Sequence, residues 1–310
     1  MSELNSKATP EVSIIIPTRD RRDWLEEAIN SVLLQTGVSW ELIIVDHRST
    51  DGTAEYLATL TAPCIRSLRC TDGDDRAAPA NAGLALARGK WAMFLDSDDL
   101  LSPGALLRLV EAIRNDREAV AVVGARYDWF CDGRNDGRRD SHPRFSCRRW
   151  ISEELLFGWS AVSGQVLYCV EILRKTGGYR AGDWPCDDRD LWLRVAALGP
   201  VRIVPEIVMK YRVHPSQFRP GDLEAIRERV YHRAIRERPR KARRPLLEIR
   251  VASRHIALAE ICFRGGDWMS GFRSVITAVT VAPRIFLSPL IGLWACRRLA
   301  RRVWHRLRGI

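Results

Sequence analysis

Residues 91–103 read WAMFLDSDDLLSP. The first five are apolar, the short run of a buried strand. The run passes straight into Asp96-Ser97-Asp98-Asp99. Carboxylates crowded at the end of a buried strand repel one another and lose solvation, so they are tolerable mainly with a cation present. A D-x-D turn can hold a hard divalent ion through one or two oxygens and leave its other positions to a diphosphate. Asp and Ser are also common turn residues, so a plain capped strand end is the competing reading. Ser102-Pro103 then predicts an N-cap and a first-turn proline for a helix running to about Arg114.

The pattern continues on both sides. Upstream, VSIII (12–16) ends at Pro17 as a buried strand, and LIIV (42–45) is a second. Between them Trp24, Leu25, Ala28, Ile29, Val32 and Leu33 fall on one helical face, with Gly37 as the stop. Asp51-Gly52 opens a helix to about Leu60. Downstream, AVAVVG (119–124) and VRIV (201–204) read as strands. A helix beginning near Asp187-Asp188 ends at Gly199. Residues 125–165 read as a polar, turn-rich loop over the site. Alternation of strand and helix at this spacing predicts an α/β fold with right-handed βαβ units and a mostly parallel sheet. Ligands of such sheets sit beyond the carboxyl ends of the strands. Pro17-Thr18-Arg19, Asp46-His47-Arg48 and Asp96 to Asp99 meet that condition.

The chain has 310 residues, with 46% hydrophobic and 28% charged side chains, which excludes a disordered or collagen-like protein. It carries a net charge of +11. The charge is uneven: from Arg219 onward there are 21 Arg and Lys against 7 Asp and Glu, while the preceding part is close to neutral. Such asymmetry points to a polyanionic surface as partner. The eight cysteines form no C-x-x-C pair, and MSELNSKATPEV has no apolar signal region, so reduced thiols in a cytoplasmic chain are expected. No P-loop motif, zinc spacing or nucleophile elbow is present; Ser163 in VSGQ lacks that setting.

Four stretches taken together, IIIPTRDR, LIIVDHRSTDGT, NAGLALARGKWAMFLDSDD and DWPCDDRDLWLRVAALG, resemble the family 2 glycosyltransferases of GT-A fold, of the type that builds bacterial cell-surface polysaccharide. The resemblance covers roughly residues 11–215. It implies a Rossmann-like catalytic domain over 11–218, and the Arg-rich helical pattern that follows makes 219–310 a basic helical extension. It also implies roles for single residues. Pro17, Thr18 and Arg19 would close over the nucleotide of a nucleotide-sugar donor. Asp46 would contact base or ribose. Asp96 and Asp98, with Ser97 between them and Asp99 beside them, would hold Mg²⁺ or Mn²⁺ on the diphosphate, with His214 nearby. Asp187-Asp188 matches the acidic pair near the acceptor, with Asp188 as candidate base. Two departures stand out. His47 replaces a base-reading Asp, which puts a uridine donor in doubt. Ala80 replaces an Arg before Asn81, and Arg76 is the cation left to reach the phosphates.

The expected activity is inverting sugar transfer to a hydroxyl of a glycan or lipid-linked acceptor. Its rivals are a catalytically silent sugar-nucleotide-binding scaffold, favoured by His47 and Ala80, and a nucleotidyltransferase, which PTRDRRDW disfavours for want of glycines. At the C-terminus IFLSPLIGLWAC (285–296) is followed by RRLARRVWHRLR. Twelve apolar residues are too few to cross a bilayer but suit a helix lying on an anionic membrane surface. A packed helix with a solvated basic face is the alternative. No nucleic-acid motif accompanies the charge. The expectation is a cytoplasmic protein, peripheral on the inner face of the membrane.

Overall fold

The computed structural model describes residues 9–114, 116, 118–130, 138–139, 146–158, 161–214, 223–288 and 291, with backbone only at 129–130 and 138–139. The chain divides into two compact units, one of residues up to 149 together with 161–226, the other of 150–160 together with 227 onward.

The first unit is built on a sheet. Its elements in chain order are β1 (Val12–Thr18), α1 (Arg22–Leu33), β2 (Trp40–Asp46), α2 (Thr53–Ala58), β3 (Ile65–Arg69), α3 (Ala77–Leu86), β4 (Trp91–Phe94), β5 (Leu100–Leu101), α4 (Ala105–Arg114), β6 (Ala121–Phe130), β7 (Arg138–Arg139) and β8 (Cys147–Arg149). After α5 (Ser152–Phe157), which belongs to the second unit, come β9 (Val166–Cys169), α6 (Val170–Thr176), α7 (Asp187–Val195) and β10 (Val201–Val213). The strand order is β3-β2-β1-β4-β9-β6-β10-β5, with β7 on β6 and β8 on β10.

The expected parallel βαβ units form the half from β3 to β4. Strands β6 and β10 are parallel too, but β9 lies antiparallel between β4 and β6. Short β5 and β8 add antiparallel edges to β10. No periodicity marks such short strands, which is why the antiparallel members of the expected mostly parallel sheet, beyond β4, could not be read from the sequence. Apolar runs are continuous in β1 and β2 because both faces are covered. Ile14, Ile16, Leu42 and Ile44 join a core with Leu25, Ile29 and Val32 of α1 and Leu106, Leu109 and Val110 of α4. Ile15 and Val45 face the other way, against α3: a Cβ on Gly83 would sit 2.4 Å from Ile15 Cγ2.

Two sequence expectations shift. The helix after Ser102-Pro103 starts at Ala105, because Gly104 has φ +68 and the first turn closes on the Ser102 carbonyl. Pro103 therefore precedes the helix. The stretch 125–165 is not one loop: β6 continues to Phe130, and β8 and α5 follow. Residues 131–137 and 140–145 lie outside those described.

One buried polar cluster fixes the entry to β4. Glu41, on β2, accepts hydrogen bonds from Ser13 Oγ (2.7 Å), Arg88 N (2.7 Å), Arg88 Nε (2.9 Å) and Arg66 (2.7 Å). Burial alone would raise its pKa, but the bonds from Ser13 and Arg88 and the charge of Arg66 outweigh it and hold the carboxyl below its ordinary value.

The second unit is helical: α5, most of α8 (Leu223–Arg236), α9 (Arg240–Gly265), α10 (Trp268–Val281) and α11 (Pro283–Phe286). Gly271, Ser274 and Ala278 let α10 approach α9, and Arg250 of α9 donates to the Leu156 carbonyl of α5. Met269, Phe272, Ile276 and Val279 form an exposed apolar stripe along α10. None of the helices among the described residues is long and apolar enough to cross a membrane. Of the apolar run 285–296, only residues 285–288 and 291 are described; the arginine-rich end lies outside.

Replacing Glu41 with Ala takes the acceptor from Ser13 Oγ and Arg88 and leaves Arg66 with only its bond to the Leu86 carbonyl among the described residues. Hydrogen bonds to a charged group contribute about 1.5–3 kcal/mol, so urea unfolding should show a loss of about that size. An unchanged midpoint would show the cluster to be energetically idle.

Candidate functional site

The strand order reverses direction between β1 and β4, which are neighbours although β2 and β3 intervene in sequence. At such a switch point the loops beyond adjacent strand ends part and leave a crevice. A cleft of about 910 Å³ opens there, lined from Pro17 to Arg21, by His47, by Asp74 to Arg76, by Asp96 to Asp98 and by Trp184, Pro185 and Tyr211.

The first two loops are stapled together. Asp20 Oδ1 accepts from Thr50 N at 2.8 Å, and Asp20 N donates to Ser49 Oγ at 3.0 Å. Asp51 accepts from Arg22 N at 2.9 Å and from Thr53 Oγ1 at 2.6 Å, so STDGT caps the starts of α1 and α2. Asp20 (φ +50) and Arg48 (φ +61) are left-handed without being glycine, local strain at the two strand ends.

Asp46 is buried; Oδ1 accepts from Ser49 N, while Oδ2 has no hydrogen-bond partner among the described residues. The same is true of Thr18 Oγ1. Arg19 is exposed, and among the described residues its charged partner is Asp20. His47 Nε2 lies 3.1 Å from the carbonyls of Asp72 and Gly73 and 3.1 Å from Arg48 Nη2, so that side of the ring is taken up by its own neighbours.

The acidic cluster has cations built against it. Arg76 Nη2 is 3.1 Å from Asp96 Oδ1, and its Nε is 3.5 Å from Asp187 Oδ2. Ser163 and the Tyr179 ring, 5.4 Å from the guanidinium, hold Arg76 in place. Asp98 Oδ2 is shared by Arg21 Nη1 at 2.7 Å and His214 Nε2 at 3.0 Å. The His214 ring packs on Trp24. Asp99 is fully buried; Oδ1 accepts from Arg212 N at 2.8 Å, and Oδ2 has no hydrogen-bond partner among the described residues. Burial, then Asp98 and Asp96, push the Asp99 pKa well up. Burial also raises Asp96, against the pull of Arg76.

This donor set fits a hard divalent cation. It offers carboxylate oxygens that resist ionising without one and an orphaned buried oxygen at Asp99. Among the described residues no three ligating side chains already form a cage. Mg²⁺ in particular is often held by one or two carboxylates together with substrate phosphates.

Asp187 and Asp188 begin α7. The helix is anchored by Asp190, which pairs with Arg194 at 2.6 Å; Arg194 in turn donates to the carbonyls of Thr176 and Gly178. Asp187 is 2% exposed, and burial pushes its pKa up to about 7, with Arg76 pulling down and Asp188 and Asp96 pushing further up. Asp188 is half-buried, its Oδ1 accepting from Arg189 N at 2.7 Å. Asn81 of NAG points away from the cleft: it clasps Tyr179 through N–H and carbonyl, both at 2.8 Å, and so places the ring on which Arg76 rests.

Sequence reasoning named Arg19 but missed Arg21, Arg212, Ser163 and Tyr179. Arginines two apart in PTRDRR look alike in sequence; only the turn at Asp20 decides which one meets Asp98.

The pattern of the family described as "Glycosyl transferase family 2" matches residues 13–175. The chain belongs to that family. The succinoglycan biosynthesis protein ExoO of Rhizobium meliloti is 34% identical over 102 residues, 33% of this chain and 29% of ExoO, so the chain spans under a third of that relative's length. Among solved structures, Staphylococcus aureus TarS 1–349 in complex with UDP-GlcNAc superposes with a TM-score of 0.66 at 15% identity, over 96% of this chain and 92% of TarS 1–349. The mannosyltransferase PcManGT of Pyrobaculum calidifontis, in complex with GDP-Man and Mn²⁺, gives 0.60 at 18% identity, over 98% and 86%. These likenesses show the fold of this family 2 chain to be GT-A.

An acid whose pKa is higher folded than unfolded stabilises the fold most below its unfolded value, about 3.9 for Asp, and loses that contribution as pH rises through the folded value. For Asp187 that loss is complete above about 7. In EDTA between pH 5 and 8, the melting temperature of Asp187→Asn should therefore gain on that of the unaltered chain as pH rises. Parallel curves would show that Asp187 does not titrate in this range.

Proposed function

We propose that this family 2 chain is an inverting glycosyltransferase that takes a sugar from a nucleotide-diphosphate donor and passes it to a hydroxyl of a glycan or lipid-linked acceptor in cell-surface polysaccharide synthesis. The observation that carries the reading is the convergence of Thr18, His47, Arg76, Asp96 and Asp98 on one cleft at the switch point of the sheet. ExoO, named for succinoglycan biosynthesis, and TarS, solved with UDP-GlcNAc, support the substrate class.

In this reading Pro17, Thr18 and Arg19 close over the nucleotide. Asp46, with its spare Oδ2, and His47, through Nδ1, meet base and ribose. Asp96, Asp98 and Asp99, with Ser97 between them and His214 beside them, would hold Mg²⁺ or Mn²⁺, which offsets the charge gathering on the leaving diphosphate. Asp188 takes the proton of the acceptor hydroxyl as that oxygen attacks the anomeric carbon and the bond to the diphosphate breaks. Asp188 is preferred to Asp187 as base because it is half-exposed, whereas Asp187 is enclosed and held by Arg76. Trp184 and Tyr211 line the cleft and limit the water that would compete with the acceptor.

Residues 11–218 then form the catalytic domain, and 219–310 a basic extension that attaches the protein to the cytoplasmic face of the membrane. The apolar stripe along α10 and the exposed Leu287 favour such attachment.

Asp188→Asn keeps shape and removes the proton acceptor. With UDP- and GDP-sugars as donors, donor binding by thermal shift should persist while kcat falls about 10²–10⁴-fold. Donor binding without turnover in the unaltered chain would favour the silent scaffold. For the extension, the full chain should pellet with anionic liposomes, less so in high salt, and a chain ending at Ala282, which keeps the α10 stripe but loses Leu287 and the arginine-rich end, should pellet clearly less. Equal pelleting with neutral liposomes would sink the electrostatic attachment.

A further inference from the structure

Resting on the donor reading above, the site holds one more device. The two D-x-D carboxylates each carry a guanidinium from a different loop: Arg76 on Asp96, and Arg21 on Asp98. Both arginines line the cleft and keep some exposure, 21% for the Arg76 side chain and 32% for Arg21. Arg76 also keeps a second carboxylate, Asp187, and a seat on Tyr179 that does not depend on Asp96. Arg21 likewise lies against the Trp24 ring, 5.8 Å from its centroid. Each can therefore turn its charge away from the D-x-D without losing every partner.

A divalent cation and a guanidinium cannot share one carboxylate oxygen without like-charge repulsion. A diphosphate, in contrast, matches the fork of an arginine and accepts from two of them. We infer that Arg21 and Arg76 are positioning residues that occupy Asp98 and Asp96 as resident counter-cations and exchange them for the donor's diphosphate when the divalent cation arrives. Metal alone then binds weakly because it must displace two paired arginines. Nucleoside diphosphate alone binds weakly because the arginines are engaged and the carboxylates repel it. Together they bind cooperatively, and by linkage each strengthens the other by the same factor. The exchange also accounts for Ala80: in this chain the phosphate-facing cation lies one helical turn earlier, at Arg76, where it reaches the D-x-D as well as the cleft.

The experiment is a binding cycle on the full chain. Mn²⁺ affinity is measured by electron paramagnetic resonance with and without UDP or GDP, for the unaltered chain and for Arg76→Met, Arg76→Lys and Arg21→Met. In the unaltered chain the diphosphate should tighten Mn²⁺ about tenfold or more, within the usual range of coupling. Arg76→Met and Arg21→Met should each bind Mn²⁺ alone several-fold more tightly, with the coupling reduced by about tenfold. Arg76→Lys keeps the charge and should keep Mn²⁺ binding weak without nucleotide, which a purely structural role would not demand. Mn²⁺ binding that is unchanged or weaker in both Met variants, or an unaltered coupling, overturns the exchange. Failure of both nucleotides to bind the unaltered chain with Mn²⁺ present would overturn the donor reading itself, and the exchange with it.

Discussion

The molecule is organised around the cost of gathering negative charge at the carboxyl end of β4. Asp96, Asp98 and Asp99 follow a strand buried on both faces, and α7 brings Asp187 and Asp188 into electrostatic range. In that setting ionised carboxylates repel one another and lose water. The surrounding structure answers with cations at fixed places, Arg21, Arg76 and Arg212, and with the His214 ring against Asp98. What it does not neutralise shows as raised pKa values and as carboxylate oxygens with no hydrogen-bond donor among the described residues. Such residual strain marks a place built to receive something, because a protein selected for stability alone would fill it.

Much of the remaining polar chemistry holds that cluster in register. Asn81 clasps Tyr179, Tyr179 supports Arg76, and Arg76 ties Asp96 to Asp187. Asp20 and Asp51 stitch the β1 and β2 loops together, which sets where Arg21 emerges. Several residues of the sequence motifs are thus struts. Asn81 of NAG and Asp51 of STDGT act through hydrogen bonds to backbone. This division of labour explains why a motif can mark a family without each of its residues touching substrate.

The helical unit follows different physics. Its described part is held by apolar packing along α9 and α10, by small residues at their contact and by Arg250, which is buried over the Tyr231 ring and bonded to the Leu156 carbonyl. Against that interior stand an apolar stripe left exposed on α10 and a strongly basic composition. In the attachment proposed above, these two features are what an anionic lipid surface would meet.

The sequence by itself determined the strands that matter most. III (14–16), LIIV and WAMFL are apolar without a break because helices cover both faces, and that continuity can be read without coordinates. It also pointed to three loops whose residues meet at one cleft, since Pro17 to Arg19, Asp46-His47 and Asp96 to Asp99 each end such a run. It could not reveal that β9 inserts antiparallel beside β4, because four residues carry too little pattern to fix a direction. It could not choose Arg21 over Arg19 at Asp98, nor distinguish enclosed Asp187 from half-open Asp188. Those differences arise when residues far apart in sequence, such as Asn81 and Tyr179 or Arg76 and Asp187, are packed together. Burial, and with it the strength of each charge, exists only once the fold has closed around it.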